Sequence, residues 1–215
     1  MGERAREQVT TVANVVTTVR SIISMVLAVL ALAQGSFALL VAAYAVYWVG
    51  DILDGIAARF LDQETVIGAV YDVIADRANT TLAAAAFIAL RPDIGAPMAV
   101  FLIQFCLLDT LLTLSFLYFP GIISPNYFAR VDKPIYLLNW SPIAKASNTG
   151  VVVLLCLIGQ PWPALAWALL MTALKSWSLA RLHAILSGRT AAAPASSAKA
   201  PPTKAPPAPV PPTKA

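Results

Sequence analysis

Four aspartates interrupt apolar segments of the chain, and their spacing could do chemistry. Asp51 and Asp54 are three residues apart, and Asp72 and Asp76 are four residues apart. In a helix, each of these spacings places the pair on one face. A charged aspartate in mid-membrane costs about 2.5–3.5 kcal/mol on insertion scales, so the four carboxylates require compensating partners.

Carboxylates alone form an oxygen-only ligand set. Such a set suits Mg²⁺, Mn²⁺ or Ca²⁺ and lacks the histidine or cysteine that zinc prefers. A short polar turn at residues 61–64 predicts that the flanking helices are antiparallel, which would bring the four carboxylates into one pocket. Four negative charges would balance two divalent ions. Intramembrane carboxylates also mark ion pathways, so a cation or proton transporter is the alternative that these residues leave open.

The composition indicates where this pocket must lie. The chain has 215 residues, of which 59% are hydrophobic and 12% are charged, and its mean hydropathy is +0.73. This is about half the charge of a soluble domain, which excludes a water-facing globule and a separate soluble catalytic module. The net charge of +4 comes from cations between apolar runs and near the C-terminus. Without a basic patch interleaved with aromatics, we expect no nucleic-acid partner.

Six apolar segments are candidates for membrane helices. They lie at about residues 12–33, 36–60, 65–90, 95–119, 143–157 and 163–186. The stretch at 121–139 is predicted to be an interfacial loop or an amphipathic segment. Most Lys and Arg residues fall on one side and Arg91 on the other, so the positive-inside rule predicts cytoplasmic termini. The predicted fold class is therefore all-α, a polytopic membrane protein with six transmembrane helices.

The composition changes near residue 190, and this change predicts a domain boundary. Residues 1–189 are expected to form the six-helix membrane domain. Residues 190–215 contain eight of the 16 prolines, together with many Ala and Lys residues. Such a segment cannot bury a core, so we expect a disordered tail. Residues 1–11 are polar and partly acidic, and Arg20 interrupts the first apolar run. Both features argue against a cleaved signal peptide.

The segment around the aspartates resembles the signature of the CDP-alcohol phosphotransferases, also called CDP-alcohol phosphatidyltransferases. It contains Asp51-x-x-Asp54-Gly55-x-x-Ala58-Arg59 and, after eight residues, Gly68-x-x-x-Asp72-x-x-x-Asp76. These elements are similar to the family's DxxDGxxAR and GxxxDxxxD at all eight defining positions. Asn14-x-x-Thr17-x-x-Arg20 on the first helix is similar to an element seen in many members.

The residue types of this signature have a physical logic of their own. Gly55 would let a phosphate approach the backbone where a Cβ would block it. Ala58 would keep neighbouring helices close. Arg59 offers a permanent cation with a fork of donors, which suits phosphate. Gly68 would open the facing helix in the same way.

The resemblance implies an enzyme that transfers the phosphatidyl group of CDP-diacylglycerol to a hydroxyl group and releases CMP. It implies two divalent ions, Mg²⁺ or Mn²⁺, the first held by Asp51, Asp54 and Asp72 and the second by Asp72 and Asp76. Asp76 would also be the general base. The implied contacts to the CDP group are Asn14, Thr17, Gly55, Arg59 and Thr65, although Thr65 could equally cap a helix. The resemblance alone implies a homodimer.

The nucleotide and the acceptor are water-soluble whereas the acyl chains stay in the bilayer, so we expect an integral, multi-pass membrane protein whose active site faces the cytoplasm. The acceptor would be a small polar alcohol. Lys133, Lys145, Lys175 and Arg181 could place cations near the site, which suits an acceptor with its own phosphate. Ordinary inside-positive topology would explain the same cations.

Lys145 lies in a segment similar to the Gly-Lys-x-x-Thr region of the glycerophosphate-using branch, although the preceding glycine is absent. We therefore predict glycerol 3-phosphate as the acceptor and phosphatidylglycerol phosphate as the product. Inositol phosphate, serine and phosphatidylglycerol are the rival acceptors. Asp109 is expected either to support the pocket or to form a contact between helices.

Overall fold

The structure is a computed structural model that describes residues 9–192, with side chains as far as residue 188, and all regular elements in this range are helical. We label the helices α1 (Val12–Gln34), α2 (Phe37–Phe60), α3 (Val66–Leu90), α4 (Pro92–Tyr118), α5 (Lys133–Asn139), α6 (Pro142–Leu157) and α7 (Pro161–Ala192). The predicted all-α class is confirmed. Residues 1–8, and residues 193–215 of the predicted tail, lie outside the described residues.

The candidate membrane spans are fewer than the six that the sequence predicts. Within residues 9–192, helices α1 to α4 are each long and apolar enough to cross a membrane. Helices α5 and α6, which meet at a bend of 41°, could together form a fifth span. Helix α7 has 32 residues but is not among the candidates. Six spans and cytoplasmic termini stay predictions.

Short polar residues and one glycine set the ends of the first helices. Thr11 caps α1, because its Oγ1 accepts a hydrogen bond of 3.1 Å from the Asn14 N–H. Gly35 ends α1 in the left-handed conformation, at φ 63°, which a glycine adopts without strain. Ser36 then caps α2. The chain therefore reverses within two residues, and α1 packs back against α2.

Helix α1 packs against both α2 and α3, and small residues allow this close approach. Ser24 on α1 donates a hydrogen bond of 2.9 Å to the carbonyl oxygen of Ala43 on α2. Nearby, Gly50 of α2 lies directly against the Arg20 side chain. The buried apolar core joins α1, α2, α3, α4, α6 and α7 through residues that include Ala31, Leu40, Phe87, Phe101, Val152 and Ala168.

The stretch at 121–139, predicted as a loop or amphipathic segment, contains a 3₁₀ turn at Pro125–Arg130 followed by α5. Asp132 caps α5, because its Oδ1 accepts a hydrogen bond of 2.9 Å from the Ile135 N–H. The same carboxylate forms a salt bridge of 2.9 Å with Arg181 on α7. Compact packing extends to Leu182, and the described residues beyond it continue α7 as a separate unit.

We expect Asp132→Asn to destabilise the protein in a pH-dependent way. Burial alone would raise the pKa of Asp132, but hydrogen bonds from Arg181 and from the Ile135 N–H hold that pKa below its usual value. Asparagine can still cap α5, so the loss at neutral pH should be about 0.5–1 kcal/mol, mainly from the ion pair. Because the pKa is lower in the folded state, this stabilisation is present above the unfolded pKa of about 3.9 and disappears as the pH falls through the folded pKa.

Thermal unfolding in detergent at neutral and at acidic pH measures this effect. Asp93→Asn is the matched control, because Asp93 also forms a salt bridge with an arginine, Arg91, but the Asp93 side chain is 49% exposed, against 9% for Asp132. We expect a smaller change for this control. A destabilisation by Asp132→Asn that is the same at both pH values would contradict the assignment to the ion pair.

Candidate active site

The four predicted aspartates converge, and the guanidinium of Arg20 lies among them. The Nε atom of Arg20 contacts Asp54 Oδ2 at 2.6 Å. Its Nη2 atom contacts one oxygen of each of the other three carboxylates, at 2.7 Å for Asp72, 3.2 Å for Asp76 and 3.3 Å for Asp51. The convergence follows from α2 and α3 presenting their acidic faces to α1. Arg20 supplies the compensating positive charge that the carboxylates require.

Three of the four carboxylates form a group that could hold a metal ion. Oxygens of Asp51, Asp72 and Asp76 lie within 4.8 Å of one another. This oxygen-only set fits a hard divalent cation such as Mg²⁺ or Mn²⁺. Asp54 is not in the group, and its Oδ2 accepts hydrogen bonds from Thr17 Oγ1, at 2.7 Å, and from Arg20. Its side chain is 5% exposed, against 39% for Asp51.

Arg20 has a place in the site that the sequence did not predict. In the sequence it is the last residue of the first-helix element and an argument against a signal peptide. A signal was available, since an arginine inside an apolar helix is as costly as an intramembrane aspartate and demands a partner of opposite charge. Its partners are 31 to 56 positions away in the chain, so only the packing of α1 against α2 and α3 identifies them.

One cavity of about 870 Å³ connects the aspartates with the predicted nucleotide contacts. The predicted residues that line it are Asn14, Thr17, Gly55, Arg59 and Thr65. The Arg59 guanidinium folds over Gly55, with a nitrogen 3.4 Å from the position of a Cβ there. The cavity wall therefore has a cation directly against the backbone of a glycine.

Thr65 serves as a helix cap, the second of the two roles expected for it. Its Oγ1 accepts a hydrogen bond of 2.9 Å from the Gly68 N–H at the start of α3. A Cβ on Gly68 would lie 2.8 Å from this oxygen and 3.0 Å from Asn14 Oδ1. Gly68 thus makes room for the two polar side chains rather than for an empty opening. A side chain at this position would force both of them to move.

The predicted acceptor cations separate in the structure. Lys145 lines the cavity and donates a hydrogen bond of 2.9 Å to Asn126 Oδ1. Arg181 binds Asp132, and Lys133 is the first residue of α5. Neither of these two is among the described residues that line the cavity. Of the four cations that the sequence suggested, Lys145 is therefore the one that lies among the described residues lining the cavity.

Asp109 forms a second buried charge cluster. Its Oδ2 binds Arg77 Nη2 at 2.5 Å, and its Oδ1 accepts a hydrogen bond from Lys175 on α7. The Arg77 guanidinium also lies 3.7 Å above the Phe105 ring, which adds a cation–π contact. Asp109 both lines the cavity and joins α3, α4 and α7, so the two roles expected for it coexist.

These features define an all-helical membrane protein with an oxygen-ligand site inside its helices. The model of the CDP-alcohol phosphatidyltransferase family matches residues 10–174, which include all of α1 to α6. The chain belongs to this family. No curated protein and no solved structure matches the chain. Membership implies phosphatidyl transfer from a CDP-linked alcohol by a membrane transferase, in a family that uses divalent metals.

We expect Asp109→Asn to destabilise the protein by about 3–5 kcal/mol, because Arg77 and Lys175 would remain buried without a counter-ion. Lys175→Met is the matched control, since it leaves the Arg77–Asp109 pair intact and should cost less. Unfolding of both variants in detergent, followed by circular dichroism, measures the difference. An Asp109→Asn protein as stable as the wild type, or a more damaging Lys175→Met, would contradict this account of the cluster.

Proposed function

We propose that this protein transfers the phosphatidyl group of CDP-diacylglycerol to a hydroxyl acceptor and releases CMP. The observation that supports this most is the convergence of Asp51, Asp54, Asp72 and Asp76 at a cavity that also contains Arg59. Two helices thereby contribute ligands for cations, and the arginine offers donors for the phosphates that the cations would neutralise. Family membership favours this reaction over a carboxylate-based cation or proton transporter.

We assign the metal site to the same four aspartates and to two divalent ions, Mg²⁺ or Mn²⁺. Asp51, Asp54 and Asp72 would hold the first ion, and Asp72 and Asp76 the second. The oxygen-only donor set of Asp51, Asp72 and Asp76 supports this assignment. Asp54 would join it through Oδ1, since its Oδ2 accepts hydrogen bonds from Thr17 and Arg20. When bound, such ions neutralise the pyrophosphate and the charge that develops on the departing CMP. Thr17 would keep Asp54 oriented through its hydrogen bond.

Protein side chains would perform the remaining work. Asp76, the last carboxylate of the signature, accepts the proton of the attacking hydroxyl group. Arg59 binds phosphate oxygens through its planar fork, next to the backbone of Gly55. Asn14 and Thr65 lie on the same wall of the cavity and would contact the nucleotide.

The cavity has walls of two kinds, which supports an amphiphilic donor and a water-soluble acceptor. Its apolar lining includes Val41, Trp48 and Ile52 of α2 and Leu154 and Leu157 of α6. Its polar lining includes Asn126, Lys145, Asn148 and Thr149. We assign the apolar side chains to the acyl chains and the polar side chains to the acceptor. Glycerol 3-phosphate is our proposed acceptor, because Lys145 could bind its phosphate.

We also propose the membrane arrangement that this chemistry requires. Both termini and the active site would face the cytoplasm, where CMP leaves and the acceptor enters. Helix α7 would be the sixth span, since 32 residues extend about 48 Å at the α-helical rise. Residues 1–189 would form the membrane domain, residues 190–215 a disordered tail, and two copies a homodimer.

We expect Asp76→Asn to lower kcat by at least about 100-fold while the variant still binds CDP-diacylglycerol, because the amide cannot accept the hydroxyl proton. CMP release in mixed micelles with Mn²⁺ and a panel of acceptors measures this. Dependence on glycerol 3-phosphate would support the proposed acceptor, whereas dependence on inositol phosphate, serine or phosphatidylglycerol would replace it. Wild-type turnover in Asp76→Asn, or no acceptor-dependent CMP from the wild type, would contradict the proposal. Asp93→Asn serves as the control carboxylate, because Asp93 is paired with Arg91 away from the cavity.

Replacing Lys145 with Met should raise the KM for glycerol 3-phosphate by about 10- to 100-fold, the loss of one hydrogen bond to a charged group. The KM for CDP-diacylglycerol should change little. Arg181→Met is the matched control, because Arg181 is bound to Asp132, and its acceptor KM should equal that of the wild type. Equal KM values in the two variants would remove Lys145 from the acceptor site.

A further inference from the structure

Arg20 places a permanent positive charge at the centre of the carboxylate cluster. Its side chain is 3% exposed, and it contacts all four aspartates through two of its nitrogens. A guanidinium keeps its charge at every relevant pH. The cluster therefore contains a cation supplied by the protein itself.

The two contacting nitrogens of Arg20 serve different carboxylates. Nε binds Asp54, which lies outside the three-carboxylate group. Nη2 binds Oδ1 of Asp51, Asp72 and Asp76, the three residues whose carboxylates could hold a metal ion. An ion held by these Oδ1 atoms would need the space that Nη2 occupies. The contact to Asp54 does not conflict with such an ion.

Neighbouring residues of α2 fix the Arg20 side chain in this position. A Cβ on Gly50 would lie 2.5 Å from Arg20 Cβ and 2.6 Å from its Cδ, closer than atoms can approach. The Tyr47 ring lies 5.3 Å from the Arg20 guanidinium carbon. Gly50 precedes the aspartate signature and is not one of its defining positions. The path of the Arg20 side chain explains why a residue without a side chain is needed at position 50.

We propose that Arg20, seated against Gly50, is a positioning residue that preorganises the carboxylates and competes with the divalent ion for Asp51, Asp72 and Asp76. Before an ion binds, Nη2 draws the three carboxylates together against their mutual repulsion. When an ion binds, Nη2 leaves these oxygens while Nε remains on Asp54. This inference rests on the proposed function only in that a divalent cation binds the cluster.

The test measures the affinity of the full-length protein for Mn²⁺ and its thermal stability without metal. Electron paramagnetic resonance of free Mn²⁺ gives the affinity, and unfolding in detergent with EDTA gives the stability. In Arg20→Met we expect Mn²⁺ to bind at least about tenfold more tightly, because one positive charge and one competitor are removed. We also expect a lower melting temperature in EDTA and a larger increase in that temperature on adding Mn²⁺.

Lys175→Met is the matched control, because it removes a buried cation that binds Asp109 and none of the four aspartates. Its Mn²⁺ affinity should match that of the wild type. If Arg20→Met does not fold, Arg20→Lys decides the question, since a single ammonium cannot bind Asp54 and the other three carboxylates as a planar fork does. That variant should also bind Mn²⁺ more tightly than the wild type.

Unchanged or weaker Mn²⁺ binding in the folded Arg20 variant would overturn this inference. An equal increase in Mn²⁺ affinity in Lys175→Met would overturn it too, because the effect would then come from long-range electrostatics and not from competition. CMP release by the wild type separates this failure from that of the proposed function. If the wild type releases CMP but the Arg20 variants bind Mn²⁺ with wild-type affinity, the proposed function stands and the proposed competition is wrong.

Discussion

The burial of four carboxylates around one guanidinium is the interaction on which the arrangement of α1, α2 and α3 depends. Uncompensated charges inside a bilayer cost several kcal/mol each, so without a bound cation the packing of these helices depends on the contacts of Arg20 with all four aspartates. That requirement explains the small residues at the α1–α2 contact. Gly50 admits the arginine, and Ser24 donates to a backbone carbonyl where a larger residue would separate the helices.

A second buried cluster fixes the other side of α3. Arg77 follows Asp76 directly in the sequence, but it turns toward Asp109 on α4, while Lys175 completes the cluster from α7. Arg20 on α1 thus binds Asp72 and Asp76 of α3. Arg77, the next residue of α3, is bound by Asp109 on α4. Buried ion clusters add little net stability compared with apolar packing, but they penalise any rotation that separates the charges. The two clusters therefore help to fix the rotation of α3 about its own axis, and this rotation determines where Asp76 points.

Local patterns predicted those parts of the site that depend on spacing within a single helix. The positions of Asp51, Asp54, Asp72 and Asp76 predicted their convergence, and Thr65 could be recognised as a cap from its place before α3. The partners of lysine and arginine were harder to predict, because these side chains are long and their partners lie on other elements. Arg181 turned out to bind Asp132, and Arg20 turned out to bind the aspartates. The observed helix boundaries lie close to those that hydropathy predicted. The bend between α5 and α6 depends on packing that a single sequence does not reveal.

The charge of the site links the binding of cations to the binding of the donor. Arg20 cancels one of the four aspartate charges, which leaves a net negative cluster that attracts divalent cations and repels a diphosphate. Two divalent ions would reverse the sign of that charge, and the diphosphate of a CDP-linked lipid would then be attracted. Arg59 reinforces this attraction from the wall of the cavity, and the net positive Asp109 cluster does so from beyond Asp76. Each partner would therefore favour the other, and the site would approach neutrality only with both bound, so that in a low-dielectric cavity the binding of donor and metal would be coupled.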